Sequence, residues 1–260
     1  MLLGRLPPGW PPLRLLRVRC TSSSGEQSVA RLDALLSRCG HCSRSEAKEW
    51  LKRGRVSVDG ITQRSPSSKA LPSAVLVDGE PLDHPKGLFV LLHKPAGVVC
   101  SHDAREGPTV FDLLPPRWLR RTPGLQCVGR LDRDTTGALL LTDCGALLHA
   151  LTSPKKKVAK VYEAELDVQL PATAALSFVD SSIVLDGDPC APATLVASPT
   201  HARAATVTLT EGRHHQVKRM FSAIGCQVTQ LHRAAIGEWN LEGLQEGEVR
   251  VLELPADAAD

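Results

Sequence analysis

The chain has 260 residues, room for one large domain or for a small domain joined to a medium one. A composition of 42% hydrophobic and 23% charged residues is that of a globular protein, and no stretch approaches the ~20 apolar residues of a membrane helix. The formal charge of +3 comes from the first 25 residues, where Arg5, Arg14, Arg17 and Arg19 stand without an acid; setting those four aside leaves 27 of the 31 Lys and Arg against 28 Asp and Glu, so a polyanion has to be held by local patches.

Residues 1–27 bear four arginines and a single acid, Glu26, and are Ser-rich towards their end, the composition of an organelle transit peptide (mitochondrion or plastid). The Pro-Pro pairs at 7–8 and 11–12 oppose a long amphipathic helix, so an extension without a fixed fold is expected, and a cytoplasmic protein if it is no transit signal. The eight cysteines are neither dense nor regularly spaced and read as reduced thiols of an intracellular protein. Cys39 and Cys42 form a C-x-x-C without a second pair at zinc-finger spacing, which suits a helix-turn feature better than a metal site.

Between 31 and 63 the pattern is compact. Leu32, Leu35 and Leu36 fall at helical spacing, Gly40 interrupts, and Ser43 with Glu46 forms a capping box for a second helix that Gly54 closes. Val56 and Val58 then alternate with polar residues before Asp59-Gly60, a type I′ hairpin signal. Arg44, Lys48 and Lys52 recur every four residues and share a helix face. With R-L-D at 31–33, S-R-S-E-A at 43–47 and G-R-V-S-V-D-G at 54–60, the segment 31–77 resembles an S4 domain. That resemblance implies binding of structured RNA through the helix pair, with Arg31, Arg44, Lys48, Lys52, Arg53 and Arg55 as candidate contacts.

Residues 78–87 have the composition of a linker. A second module follows. It opens on a buried-strand pattern at 88–101, with strand-like runs at 125–128, 138–141, 161–168 and 205–209 and helix-like stretches near 145–151 and 215–224. The order lacks a regular βαβ beat, so an α+β fold is expected, a mixed and mainly antiparallel sheet flanked by helices. The organisation is an extension at 1–27, a small domain at 28–84, a larger one at 87–254 and a tail at 255–260. Basic clusters at Arg117, Arg120 and Arg121, at Lys155–Lys157 with Lys160, and at Arg213, Lys218 and Arg219 are candidate patches for a polyanion.

The richest stretch is GRLDRDTTGALLLTD at 129–143, a polar loop between two apolar runs, where a scaffold usually carries function. Arg130 and Arg133 flank Asp132 and favour a charged carboxylate able to act as nucleophile or base, whereas Asp134 before two threonines suits loop bracing and Asp143 a turn or cap. The stretch resembles the catalytic signature of pseudouridine synthases of the Rsu/Rlu branch, as do LLHKPAGVVCS at 91–101, LTSPKKKVAKVY at 151–162 and EGRHHQVKRMFSAIGCQVTQLHRAAIG at 211–237, all in family order.

The resemblance implies that Asp132 is the essential aspartate, that Tyr162 stacks on the target base and that Lys218 is the aspartate's basic partner. Arg130 and Arg133 are then expected at phosphate or the displaced strand, and Arg213, His215, Gln216 and Arg219 on the RNA-facing motif. It implies further that no metal or organic cofactor takes part, that the enzyme is a monomer, and that its partner is ribosomal RNA or a pre-ribosomal particle. The wording of the motifs is closer to the small-subunit enzymes. A large-subunit enzyme and a non-catalytic ribosome-assembly factor are the alternatives. Cys144, where the family carries an acid, and a shortened Ala-rich stretch at 171–200 depart from the pattern.

Overall fold

The computed structural model describes residues 28–255. The N-terminal extension therefore lies outside the described residues. The small domain begins with β1 (Ala30–Arg31), α1 (Leu32–Arg38) and α2 (Ala47–Lys52). The capping box forms as its residues dictate: Ser43 N–H donates to Glu46 Oε2 at 2.8 Å and Glu46 N–H to Ser43 Oγ at 3.3 Å. Gly54 has φ +72°, and Asp59 and Gly60, at +49° and +77°, make the type I′ turn between β2 (Val56–Val58) and β3 (Ile61–Thr62).

The hairpin is only part of a four-stranded sheet. After β4 (Lys69–Ala70), which pairs with β1, come β5 (Val75–Val77) and β6 (Glu80–Pro81), giving the order β3-β2-β5-β6. Asp78 and Gly79 are thus a second positive-φ turn and not linker, and the connection between domains shortens to the residues after Leu82. Leu32, Leu35, Leu36, Leu51, Val56 and Val75 form the core together with Cys39 and Cys42. Burial pushes both thiols up to about 11, which suits their place in the helix turn.

The large domain is built on one sheet of nine strands: β7 (Phe89–Lys94), β8 (Gln126–Val128), β9 (Thr136–Thr142), β10 (Lys160–Leu166), β13 (Thr194–Ala197), β14 (Ala204–Leu209), β15 (Val228–Ile236), β16 (Trp239–Asn240) and β17 (Val249–Val251). A separate hairpin of β11 (Val184–Leu185) and β12 (Asp188–Pro189) stands outside it. The path runs β13-β14-β10-β15-β9-β7-β17, with β8 against β9 and β16 against β15. All ladders in it are antiparallel except the short contact of β15 with β9.

Continuous apolar runs such as Ala138–Leu141 arise because the sheet is covered on both faces. Leu139 and Leu141 face one core, on the side of α4 (Ala174–Val179) and α5 (Gln216–Ala223); Ala138 and Leu140 face the other, on the side of α3 (Gly145–Thr152). The Ala-rich stretch 171–200 thus supplies α4, the β11–β12 hairpin and edge strand β13.

The basic cluster at 117–121 joins the domains. Arg117 Nη2 and Trp118 Nε1 donate to Asp83 Oδ2 at 2.9 and 3.0 Å. Arg121, fully buried, donates to Asp143 Oδ2 at 2.7 Å and to the carbonyls of Asp83 and His84 at 3.0 and 2.8 Å. Asp143 takes the Leu88 N–H on its other oxygen at 2.6 Å. Two of the three arginines expected to meet a polyanion therefore serve the domain junction.

The parallel contact between β9 and β15 depends on Gly137. Its φ is +112°, and a Cβ there would lie 2.6 Å from the Arg233 nitrogen and 2.8 Å from its carbonyl carbon. Gly137→Ala is expected to destabilise the protein by about 1–3 kcal/mol, measured by urea unfolding. The control is Gly145→Ala at the first position of α3, where a Cβ meets nothing within 4 Å and stability should not fall. Equal midpoints for the two variants would refute the steric account.

Candidate active site

The loop after β8 carries Asp132, and a buried lysine fixes its backbone from behind. Lys94, at the end of β7, is 0% exposed and donates its ammonium hydrogens to the carbonyls of Pro95, Arg133 and Thr135 at 2.9, 3.3 and 2.8 Å. Gly97 N–H also donates to the Arg133 carbonyl at 2.8 Å, and Leu131 N–H reaches Cys100 Sγ at 3.5 Å. Burial pulls the Lys94 ammonium below its ordinary range. Sequence reasoning missed Lys94, since a lysine ending a strand carries no signal of burial.

The Asp132 side chain, about a quarter exposed, is held by α5 and the turn before it: Oδ1 lies 3.3 Å from His215 Nε2 and Oδ2 lies 3.2 Å from Lys218 Nζ. His215 makes this contact from a left-handed backbone (φ +49°), its ring stacked on His214 at 3.8 Å between centroids. Lys218 is shared, because Asp134 Oδ1 accepts from it at 2.6 Å. Burial opposes the Lys218 charge, yet the hydrogen bonds to Asp134 and Asp132 outweigh it and raise the ammonium; the bond from Lys218 lowers the Asp134 carboxyl. The sequence-adjacent arginines do not pair with Asp132: Arg133 Nη2 donates to the Glu106 carbonyl at 2.8 Å, and Arg130 is exposed beside the cavity.

That cavity, of about 340 Å³, is at the small end for ligand sites. Its walls include Arg130, Leu131, Lys160, Tyr162, His215 and Arg233. Asp132 and Lys218 are not among its lining residues but are joined to it through Leu131 and His215. Tyr162 on β10 and Arg233 on β15 are direct cross-strand partners because the register shifts between Val161 and Tyr162, Ala235 pairing with one and Arg233 with the other. A bulge of this kind re-aims side chains beside functional sites.

Arg213, Gln216 and Arg219 are engaged within the protein. Arg213 donates to the carbonyls of Leu185, Asp188 and Pro189, Arg219 grips Asp186 at 2.6 and 2.9 Å, and buried Gln216 hydrogen-bonds Glu211 and the Arg213 N–H. In the small domain Arg31 and Arg44 share Asp33, Arg53 meets Glu49 at 3.0 Å, and Arg55 is bidentate to Asp78 while lying over the Trp50 ring. Lys48 and Lys52 are exposed and have no ion pair among the described residues.

The chain is similar to known proteins over most of its length. Residues 88–223 match the family of RNA pseudouridylate synthases and residues 30–76 the S4 domain. This chain belongs to the RNA pseudouridine synthases. Its RsuA-like relatives include the ribosomal small subunit pseudouridine synthase A of Salmonella typhimurium, 39% identical over 227 residues, 85% of this chain and 96% of that one. The same enzyme of Escherichia coli K12 is 39% identical over 229 residues, again 85% and 96%, and the RNA pseudouridine synthase YtzG of Bacillus subtilis is 37% identical over 85% and 94%. A crystal structure of a pseudouridylate synthase superposes with a TM-score of 0.59 at 35% identity, covering 86% of this chain and 96% of its own. This synthase is an RNA-binding isomerase with its S4 domain in place.

Lys160 belongs in sequence to a basic cluster that is a candidate patch for a polyanion; in the fold it lines the cavity, donates to the Val158 carbonyl at 3.1 Å and is half-buried. Burial, reinforced by the Arg233 charge and opposed by Glu211, pushes its ammonium down to about 8. The cavity therefore loses a positive charge as pH rises through about 8. The expected result is that kcat/KM on RNA falls above that pH, and that Lys160→Arg, charged throughout, shifts the fall beyond pH 9. Superimposable pH profiles for the two proteins would rule this out.

Proposed function

We propose that this synthase converts a uridine of ribosomal RNA, in the small subunit, to pseudouridine, with Asp132 as the reacting carboxylate and Tyr162 beneath the base. In that isomerisation the bond from ribose C1′ to uracil N1 breaks, the base turns, C1′ joins C5, the C5 proton leaves and N1 takes one up. The observation that carries the reading is the Asp132 carboxylate, gripped on one oxygen by His215 and on the other by Lys218, beside the cavity that Tyr162 lines. An oriented carboxylate next to a base-sized space bounded by an aromatic ring is what bond exchange at C1′ calls for. Small-subunit ribosomal RNA is favoured because the relatives carrying that name match along nearly their whole length.

Extruding the uridine costs a few kcal/mol, offset by contacts to the surrounding RNA. With nine aromatic residues among 260, stacking platforms are few, and phosphate contacts by exposed cations carry more of the binding. Lys48 and Lys52 on α2 are the S4 cations available for that role.

Two measurements test these assignments. Small- and large-subunit ribosomal RNA incubated with the protein is mapped for pseudouridine by carbodiimide labelling and primer extension. One new stop in the small-subunit RNA is expected, with its rate reduced at least about 10³-fold in Asp132→Asn. A stop in the large-subunit RNA instead would reassign the substrate, and an unaffected rate in the variant would remove Asp132 from the chemistry. For the S4 face, Lys48→Ala with Lys52→Ala should weaken RNA binding and make the slope of log K against log salt shallower by about 1.5. Parallel slopes would exclude that face.

A further inference from the structure

Arg233 is the largest fully buried side chain among the described residues, at 1% exposure, and it lines the cavity. Its Nε donates to the Ala138 carbonyl at 2.7 Å and its Nη1 lies 3.4 Å from the Tyr162 hydroxyl, while its Nη2 is buried with no hydrogen-bond partner. No carboxylate forms an ion pair with it among the described residues. A guanidinium in such a place is costly to desolvate, and an unmet donor adds to that cost. Packing alone does not explain it, since a methionine or leucine would fill the space without either penalty. Two local features serve its placement. The bulge in β15 sets it opposite Tyr162, and Gly137 lets its backbone approach β9.

Guanidinium has only donors, so in the Arg233–Tyr162 contact the phenol oxygen accepts. The phenol's own hydrogen then has to point away from Arg233. We propose that Arg233 is a positioning residue for Tyr162: it fixes the phenol oxygen as an acceptor, turns the phenol O–H towards an acceptor on the bound RNA, and keeps a positive charge below the base.

The charge has a use in the isomerisation. When the N1–C1′ bond breaks, the electron pair stays with the uracil and its negative charge spreads over the ring and its two carbonyl oxygens until C5 bonds C1′ and N1 is protonated. A preorganised cation in a water-poor site stabilises such charge without reorganisation. The inference rests on the cavity being the uridine site, as proposed above, so the RNA used to test it is whichever one the wild-type protein modifies in the mapping experiment.

Tyr162 is the only tyrosine in the chain, so spectroscopy of tyrosine reports on it alone. In ultraviolet resonance Raman spectra the intensity ratio of the tyrosine Fermi doublet is high when the phenol oxygen accepts and low when the O–H donates. A high ratio is expected in the free protein, falling in Arg233→Met and falling on addition of RNA to wild type. In parallel, Arg233→Lys should lower kcat about 10–100-fold with RNA affinity unchanged within about twofold, and should have little further effect when introduced into Tyr162→Phe. Arg233→Lys keeps volume and charge, and the Raman change on adding RNA needs no variant at all, so loss of folding in Arg233→Met does not blunt the test. A wild-type ratio that RNA leaves unchanged, or additive losses in the double variant, would overturn the proposal.

Discussion

The site depends on one buried ammonium. Lys94 lies inside the protein with no carboxylate partner among the described residues, and its three hydrogens go to three backbone carbonyls, two of them on the loop that carries Asp132. A buried lysine is tolerable only when every donor is met, and here the donors are met by the segment whose position matters. Residues 131–135 are loop, yet their backbone is hydrogen-bonded to Lys94 and Gly97, with Thr135 N–H returning to the Asp132 carbonyl at 3.2 Å. Asp132 consequently projects its carboxylate from a fixed backbone to meet side chains of a distant helix. Orientation comes from two directions, carbonyls on β7's ammonium behind and α5 in front, so that the backbone and the side chain of Asp132 are each held.

Around that carboxylate the charges are unequal. Lys218, Lys160 and Arg233 bring positive charge to the site, while Asp134 engages Lys218 from the exposed side and Glu211 is drawn into the Gln216 and Arg213 network. Farther out, most arginines that look available in the sequence are tied to carboxylates or carbonyls. The protein beyond residue 25 is nearly neutral, so net charge supplies little attraction for RNA, and local positive charge, as at the cavity and on exposed lysines, has to supply the rest. Such an arrangement favours an RNA already folded into the right shape over any polyanion.

Local signals in the sequence were read well where the chemistry is local. The Ser43–Glu46 box, the left-handed Gly54 and the Asp59-Gly60 turn concern residues within four positions of each other, and each took the conformation its side chains favour. The linker was misplaced because Asp78-Gly79, like any turn of charge and glycine, has the same composition whether it joins two strands or two domains; only the pairing of Leu76 with Pro81 distinguishes them. The fate of the arginines was illegible for a related reason. Arg133 sits next to Asp132 in sequence, but consecutive side chains diverge, and its guanidinium goes to Glu106. Arg233 was overlooked since its burial depends on a bulge and on the absence of a Cβ on another strand, neither of which has a period.

The three aspartates of GRLDRDTTGALLLTD show how one short stretch can place the same functional group in three environments. Asp132, on the pinned loop, turns to Lys218 and His215 and keeps partial contact with solvent. Asp134, two residues on, is largely exposed and competes for the same lysine, so it sets how much of the Lys218 charge Asp132 receives. Asp143, beyond a strand that is buried on both faces, is itself buried and closes on Arg121, whose remaining donors hold the carbonyls of the interdomain connection. Removing either partner of that pair would leave an uncompensated buried charge at the joint between the S4 and catalytic domains, a far larger perturbation than loss of a surface pair. The stretch thus joins the Asp132 carboxylate before β9 to the domain junction after it, and the strand between them, apolar from Ala138 to Leu141 and buried on both faces, fixes the distance that separates the two.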